Sequence, residues 1–218
     1  MRIKWLGHSC FLITADSGAT LLTDPYDVDG YQGTLLYRPL DESPDVVTIS
    51  HGHADHNGIE VLKGEPYAVN GLGGQKVEGF DVRGINSFHD TEQGAMRGGN
   101  IIYVINAEGI TLCHLGDLGH ELSHGKVEDI GAVDVLLLPV GGNFTVGADG
   151  ATAIWQHLHP AVTIPMHFRN DRCLFSIDGV EKFLKGKTDV EMPAASEISL
   201  TKESLPAGPK IIVLEPAN

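Results

Sequence analysis

The sequence predicts a mixed α/β fold in which sheets lie between helices. Two observations carry that reading. Short β-branched runs recur along the chain, and several are apolar throughout, as in strands covered on both faces. Stretches of helical pattern lie between some of them. No Pro/Ser-rich linker, low-complexity tract or charge block divides the 218 residues, so the chain reads as a single domain spanning 1–218. A domain of that length buries roughly 70% of its unfolded-chain surface, ample for a sizeable core.

Taken in order, "IKWLG", "FLITA" and "TLLTD" read as consecutive strands joined by turns such as "ADSGAT". "VVTIS" is a strand and "HNGIEVLKG" a helical stretch after it. The strand series continues through "VRGINSF", "IIYVINA", "ITLCHLG" and "VDVLLLPV". "NGLGGQ" and "MRGGN" read as hairpin turns; neither opens a helix in a nucleotide-binding pattern. "ADGATAIWQHLH" is a helix with Asp149-Gly150 at its start and Pro160 beyond its end. "AVTIPM" gives a further strand and "DGVEKFLKG" a further helix.

Charge and cysteine content narrow the function. Lys plus Arg number 15 against 29 Asp plus Glu, a formal charge of −14. That field repels phosphate backbones and anionic membranes, so neither is an expected partner. No apolar run approaches the roughly 20 residues that span a bilayer. "MRIKWLGHSC" has no extended apolar core and no small-residue cleavage site, so no secretory leader is expected. Cys10, Cys113 and Cys173 are too few and odd in number for a disulfide framework. Reduced, packed thiols and a cytoplasmic location follow. The expected partner is a small molecule; a homo-oligomer stays open.

The chemistry concentrates in "VVTISHGHADHNG", residues 46–58, which sets His51, His53, Asp55 and His56 directly after an apolar run. Imidazole and carboxylate are the ligands that divalent zinc, iron and manganese prefer. Gly52 and Ala54 lack bulk, so the loop can turn tightly and aim its neighbours at one point. "VRGINSF" ends in His89, "ITLCHLG" in Asp117 and "AVTIPM" in His167. Four strand ends thus deliver ligand-type residues, where α/β sheets bind their ligands. Three histidines and an aspartate in one loop exceed the needs of one tetrahedral zinc with an open position. Two metals are the natural count.

"HGHADH" resembles the HxHxDH signature of the metallo-β-lactamase fold superfamily. "SFHD", "HLGDLG" and "PMHF" resemble its remaining ligand positions, so the likeness runs from His8 to about Arg169. "WLGHSCFLI", "GDLG" and "LPVGGNFT" are similar to a branch of small metal-dependent hydrolases that includes L-ascorbate-6-phosphate lactonase-like proteins. The resemblance implies an αββα four-layer sandwich, two mixed sheets between helices. It also implies a hydrolase holding two divalent ions, zinc first, with manganese or iron as alternatives. His51, His53 and His89 would bind one ion; Asp55, His56 and His167 the other; Asp117 would bridge them. Asp55 would also aim the attacking water. A small ester, lactone or phosphoester is the implied substrate.

His8 and Asp24 match positions that orient a ligand imidazole, and Arg97 and Arg169 are candidates to grip an anionic group. His120 and His124 read as exposed residues, and His157 and His159 as helix-end histidines suited to the helix dipole. The alternative is a non-hydrolytic di-iron redox protein on the same fold. Those branches usually carry a glutamate within the motif, where this chain has His53-Ala54-Asp55, and commonly a flavin domain, for which these 218 residues are expected to leave no room.

Overall fold

The computed structural model describes residues 1–31 and 33–217. Among them, β1 (Arg2–Gly7), β2 (Cys10–Thr14), β3 (Thr20–Thr23), β4 (Val46–Thr48) and β5 (Tyr67–Val69) begin one sheet. β6 (Gly73–Val77), β7 (Phe80–Phe88), β8 (Gly99–Ala107), β9 (Ile110–His114), β10 (Val135–Pro139), β11 (Val162–Met166) and β12 (Val190–Glu191) form most of a second. β13 (Glu197–Ser199) returns to the first sheet and β14 (Lys210–Ile212) to the second. The orders are β13-β1-β2-β3-β4-β5 and β12-β14-β11-β10-β9-β8-β7-β6. Both sheets are mixed, with parallel pairs such as β3–β4 and β10–β11 beside antiparallel hairpins.

Alternation along the strands sorts apolar side chains into two layers. Phe11, Leu21 and Val46 join one large cluster with Val82, Ile102, Val104 and Leu137 of the other sheet, which is the core between the sheets. Their neighbours Cys10, Leu22 and Val47 belong to a second cluster on the opposite face. That outer face is covered by loop residues, among them Tyr26, Leu35, Tyr37, Leu62 and Cys173. β10 and β11 are buried at every position, in register from Val135↔Val162 to Pro139↔Met166, as their unbroken apolar runs require.

The helices α1 (His124–Ile130), α2 (Ala148–Leu158) and α3 (Glu181–Leu184) send Ile130, Ile154 and Phe183 into the large cluster. The sandwich therefore has an α-helical layer on the eight-stranded side and a loop layer on the other. The expected "HNGIEVLKG" helix contracts to a single 3-10 turn, Ile59–Val61. Its start is tethered: Gly58 N–H donates to Pro25 O at 2.7 Å, and a Cβ there would meet Tyr26 C at 2.7 Å. Its end is tethered too, by Lys63 N–H to Glu42 O. A segment this short has no cooperative reason to stay helical against such ties.

"NGLGGQ" is not a hairpin turn, because β5 and β6 lie in different sheets and the segment carries the chain between them. "MRGGN" does close a hairpin, the long 89–98 loop that joins β7 and β8, paired Phe88↔Gly99. α1, not foreseen from the sequence, starts where the Ser123 side chain accepts Lys126 N–H. None of the described helices is long and apolar enough to cross a membrane.

A candidate metal centre at the sheet ends

The four strand ends expected to carry ligands converge. β4 runs into the His51–His56 loop, β7 into His89, β9 into the Asp117 loop and β11 into His167. His51, His53 and His89 present ligand atoms that all lie within 4.8 Å of one another. His8, Asp55, His56 and His167 form a second such group. Asp117 stands between them. Its Oδ1 lies 3.2 Å from His56 Nε2, and its Oδ2 lies 3.2 Å from both His89 Nε2 and His167 Nε2. The loop reaches this position because it closes on glycine. Gly116 has φ +55, and a Cβ on Gly119 would meet His89 C at 2.3 Å.

Hydrogen bonds fix which nitrogen each imidazole offers. Ser50 N–H donates to Asp24 Oδ1 at 2.7 Å and the Ser50 hydroxyl to Oδ2 at 2.6 Å. With its one proton so used, Ser50 Oγ accepts from His51 Nδ1 at 3.0 Å, so His51 Nε2 is the unprotonated nitrogen and accepts from His53 Nδ1–H at 2.9 Å. His56 Nδ1–H donates to Asp24 Oδ2 at 2.8 Å, freeing Nε2. His89 Nδ1–H donates to the Phe144 carbonyl at 3.0 Å. Asp24 also lies near His51 and His56, but these bonds commit both its oxygens to orienting them. His8 Nε2 sits 3.2 Å from Asp55 Oδ2, so it faces a ligand-type carboxylate and packs its ring 4.2 Å from that of His167.

Electrostatics mark the centre as short of positive charge. Asp24, Asp55 and Asp117 are buried, and the ion pairs of all three run to imidazoles. Burial would raise the Asp117 carboxyl, yet facing His167 and His56 hold it well below the usual range. Burial would lower His56, yet Asp117 and Asp55 hold it well above. Burial pushes His8 down to about 4 and His51 to about 3, so both are neutral imidazoles at pH 7.

The residues fit divalent cations. Asp55 Oδ1, His56 Nε2, Asp117 Oδ1 and His167 Nδ1 are buried and make no hydrogen bond. Four unsatisfied polar atoms in one cluster are costly unless a ligand completes them. The donors are imidazole nitrogens and carboxylate oxygens, the set that zinc, manganese and iron accept. The backbone is strained at the same place. His8, Asp24 and His167 adopt left-handed φ of 52°, 37° and 49°. Each such non-glycine residue costs on the order of 1–3 kcal/mol.

A cleft of about 220 Å³ opens onto the centre. His53, Asp55, His89, Asp117 and His167 form its floor, and Tyr31, Arg97, Phe144 and Phe175 its walls. Burial, then the Asp55 charge, pushes the Tyr31 phenol up to about 12. The structure thus brings the candidate Arg97 to the cleft. Arg169 is not brought there: it is exposed, lines a separate surface groove and donates its backbone N–H to Asp178 O. His120 backs the centre from outside, Nε2 accepting Phe88 N–H, while His124 is exposed. His157 lies in the last turn of α2 and His159 is its C-cap, as the sequence suggested.

Sequence reasoning missed the three aromatic wall residues and His114. His114 Nε2–H donates to Ser9 O at 2.9 Å and its Nδ1 accepts Gly116 N–H at 3.2 Å, tying the Asp117 loop to the β1–β2 turn. Asn100 was missed as well; its Oδ1 accepts Asp117 N–H and its amide donates to Leu115 O.

The profile of a family described as "Beta-lactamase superfamily domain" matches residues 2–167. The chain belongs to the metallo-β-lactamase superfamily. Among superfamily relatives, a UPF0173 metal-dependent hydrolase of Methanopyrus kandleri is 29% identical over 77% of this chain and 84% of its own length. Another UPF0173 metal-dependent hydrolase, from Methanoculleus marisnigri, is 28% identical over 96% and 98%. A candidate zinc-dependent hydrolase of the superfamily from Thermotoga maritima superposes with a TM-score of 0.81. It is 36% identical, and 98% of each chain is covered.

Proposed function

We propose that this superfamily member is a metal-dependent hydrolase that holds two divalent cations, zinc first, and cleaves a small ester, lactone or phosphoester. One observation carries the reading: a single carboxylate, Asp117, touches histidines of both ligand groups, within 3.2 Å of His56, His89 and His167. A carboxylate so placed would be shared by two cations held by the two groups. The names of the relatives, metal-dependent and zinc-dependent hydrolases, support the reaction class.

When bound, the cations supply Lewis acidity and bring the pKa of a water toward neutrality. The chain's own groups do the rest. Asp55 keeps Oδ1 free at the cleft while His8 holds Oδ2, so it can accept a proton from an attacking water and aim it. The Tyr31 phenol beside it stays protonated at neutral pH and can donate to a developing oxyanion. Phe144 and Phe175 exclude bulk water from the cleft. No thiol competes for the role of nucleophile. Cys10, Cys113 and Cys173 are free and buried, with burial raising Cys113 to about 12 and Cys173 to about 11. Unpaired thiols of that kind suit the reducing cytoplasm.

Metal analysis of the purified protein, followed by a screen of the zinc-loaded form against lactones, thioesters and phosphodiesters, tests the reading. Two equivalents of a colourless divalent metal, with turnover abolished in Asp117→Asn, is the expected result. Iron with a charge-transfer band and no hydrolysis would move the protein to the di-iron redox class.

A further inference from the structure

The geometry points to an anion-recognition subsite in the cleft wall, built from Arg97, Phe144 and Asp90, which selects small substrates bearing one carboxylate or phosphate group. The selectivity rests on the hydrolase reading; the binding of the anion does not.

The chain carries 29 acidic residues against 15 basic ones, so a basic side chain rarely wants for a partner. Arg97 is half-buried and lines the cleft, yet among the described residues its guanidinium has neither an ion pair nor a hydrogen-bond acceptor. The guanidinium lies over the Phe144 ring, its carbon 5.6 Å from the centroid. Stacking of this kind holds the guanidinium plane in place while leaving its fork of five N–H donors open. An open fork over a cleft matches a carboxylate or phosphate oxygen pair.

The base of the arginine is fixed as firmly as its tip. Asp90 Oδ1 accepts Glu92 N–H and Gly94 N–H, each at 2.8 Å. Its Oδ2 accepts Met96 N–H at 3.0 Å and Arg97 N–H at 2.7 Å. One carboxylate therefore gathers four backbone donors and freezes the loop that presents Arg97. These bonds hold the Asp90 carboxyl below the usual range against the upward push of burial. Gly98 N–H to Gly94 O closes the same loop. A rigid loop spends no ordering entropy when a ligand arrives, which is how specificity sites are built.

Phe144 links this grip to the metal centre. Its ring carries Arg97, while its carbonyl accepts His89 Nδ1–H. An anion on Arg97 is thereby registered against the imidazole that faces Asp117. Phe175, whose ring centroid lies 6.2 Å from that of Phe144, continues the apolar surface toward Tyr31. The cleft, about 220 Å³, is smaller than the roughly 300–1,000 Å³ that drug-sized ligands occupy. The substrate class is a compact ester or lactone with an anionic group at one end and a short apolar body.

Two matched esters test this on the zinc-loaded full chain: para-nitrophenyl acetate, which is neutral, and mono-para-nitrophenyl succinate, which carries a carboxylate. Wild-type protein should favour the anionic ester. In Arg97→Gln the ratio of kcat/KM values, anionic over neutral, should fall about ten- to hundred-fold, the effect of losing a hydrogen bond to a charged group. Arg97→Lys should restore part of it. Asp90→Asn, which loosens the loop, should raise KM for the anionic ester by a larger factor than it lowers kcat. A ratio unchanged in Arg97→Gln overturns the proposal. Should wild type cleave neither ester, the hydrolase reading fails on these substrates, and calorimetry with benzoate and benzamide still decides the subsite. Weaker benzoate binding in Arg97→Gln, with benzamide unaffected, supports it; equal benzoate affinity in both proteins refutes it.

Discussion

The two ligand groups are alike in chemistry and unlike in setting. His8, Asp55, His56 and His167 are all buried, whereas His51 is half-buried and His53 exposed. The buried group is tied to the core: Asp24 holds His56, His8 holds Asp55, and the His167 N–H donates to His8 O. The open group is tied within itself and to its loops, by Ser50 beneath His51, by the 2.9 Å bond between His51 and His53, and by the Phe144 carbonyl on His89. The difference teaches that one half of the centre lies wholly within the fold, while the other reaches solvent through His51 and His53 with His89 buried behind them. An ion in the open half is expected to exchange readily and one in the buried half to stabilise the protein.

Asp117 touches both halves, so replacing it should erase the contrast. Asp117→Ala is expected to cost at least about a hundred- to a thousand-fold in kcat and, on the proposed two-metal reading, to release both ions, read by metal analysis beside kinetics. Retention of one full equivalent would show that the halves do not depend on a shared carboxylate. Dialysis against a chelator should then separate them in time, the first equivalent leaving with little change in Tm and the second lowering it clearly. Single-phase release would contradict the asymmetry.

Asp24→Asn weakens the orientation of His56 directly and of His51 through Ser50, so metal affinity should drop about ten- to a hundred-fold. Competition with a fluorescent zinc chelator measures it. His167→Ala and His53→Ala sharpen the comparison on stability. The buried histidine should cost about 1–3 kcal/mol in urea unfolding of the metal-free protein, because it leaves buried polar neighbours unpaired. The exposed one should stay within about 0.5 kcal/mol. The smallest effect is expected from Ser50→Ala, about fivefold in metal affinity, since one hydrogen bond is worth roughly 1 kcal/mol.

Much of the centre could be read directly because strand patterns and ligand residues adjoin in sequence. "VVTIS" into His51 and "AVTIPM" into His167 each state a direction and a chemistry in a few letters. Arg97 and Arg169 show where such reading stops. Both follow apolar or turn segments, yet Arg97 is brought to the cleft by the Asp90-centred loop, and Arg169 is turned to solvent after Phe168 enters the core. Tyr31, Phe144 and Phe175 come from three distant loops, and nothing local marks an aromatic loop residue as a wall. β12, β13 and β14 span two or three residues each, too short for a period to show. His114 looks like one polar letter inside a strand; its role appears only when Ser9 and Gly116 close on its two nitrogens.

Three residues of the centre, His8, Asp24 and His167, sit in left-handed backbone that their side chains disfavour. A glycine at any of them would relax the chain and delete a functional group in the same stroke. Relief of the backbone at these positions would therefore come only with the loss of a buried, hydrogen-bonded side chain, so the strain persists because the surrounding packing and bonds hold it in place.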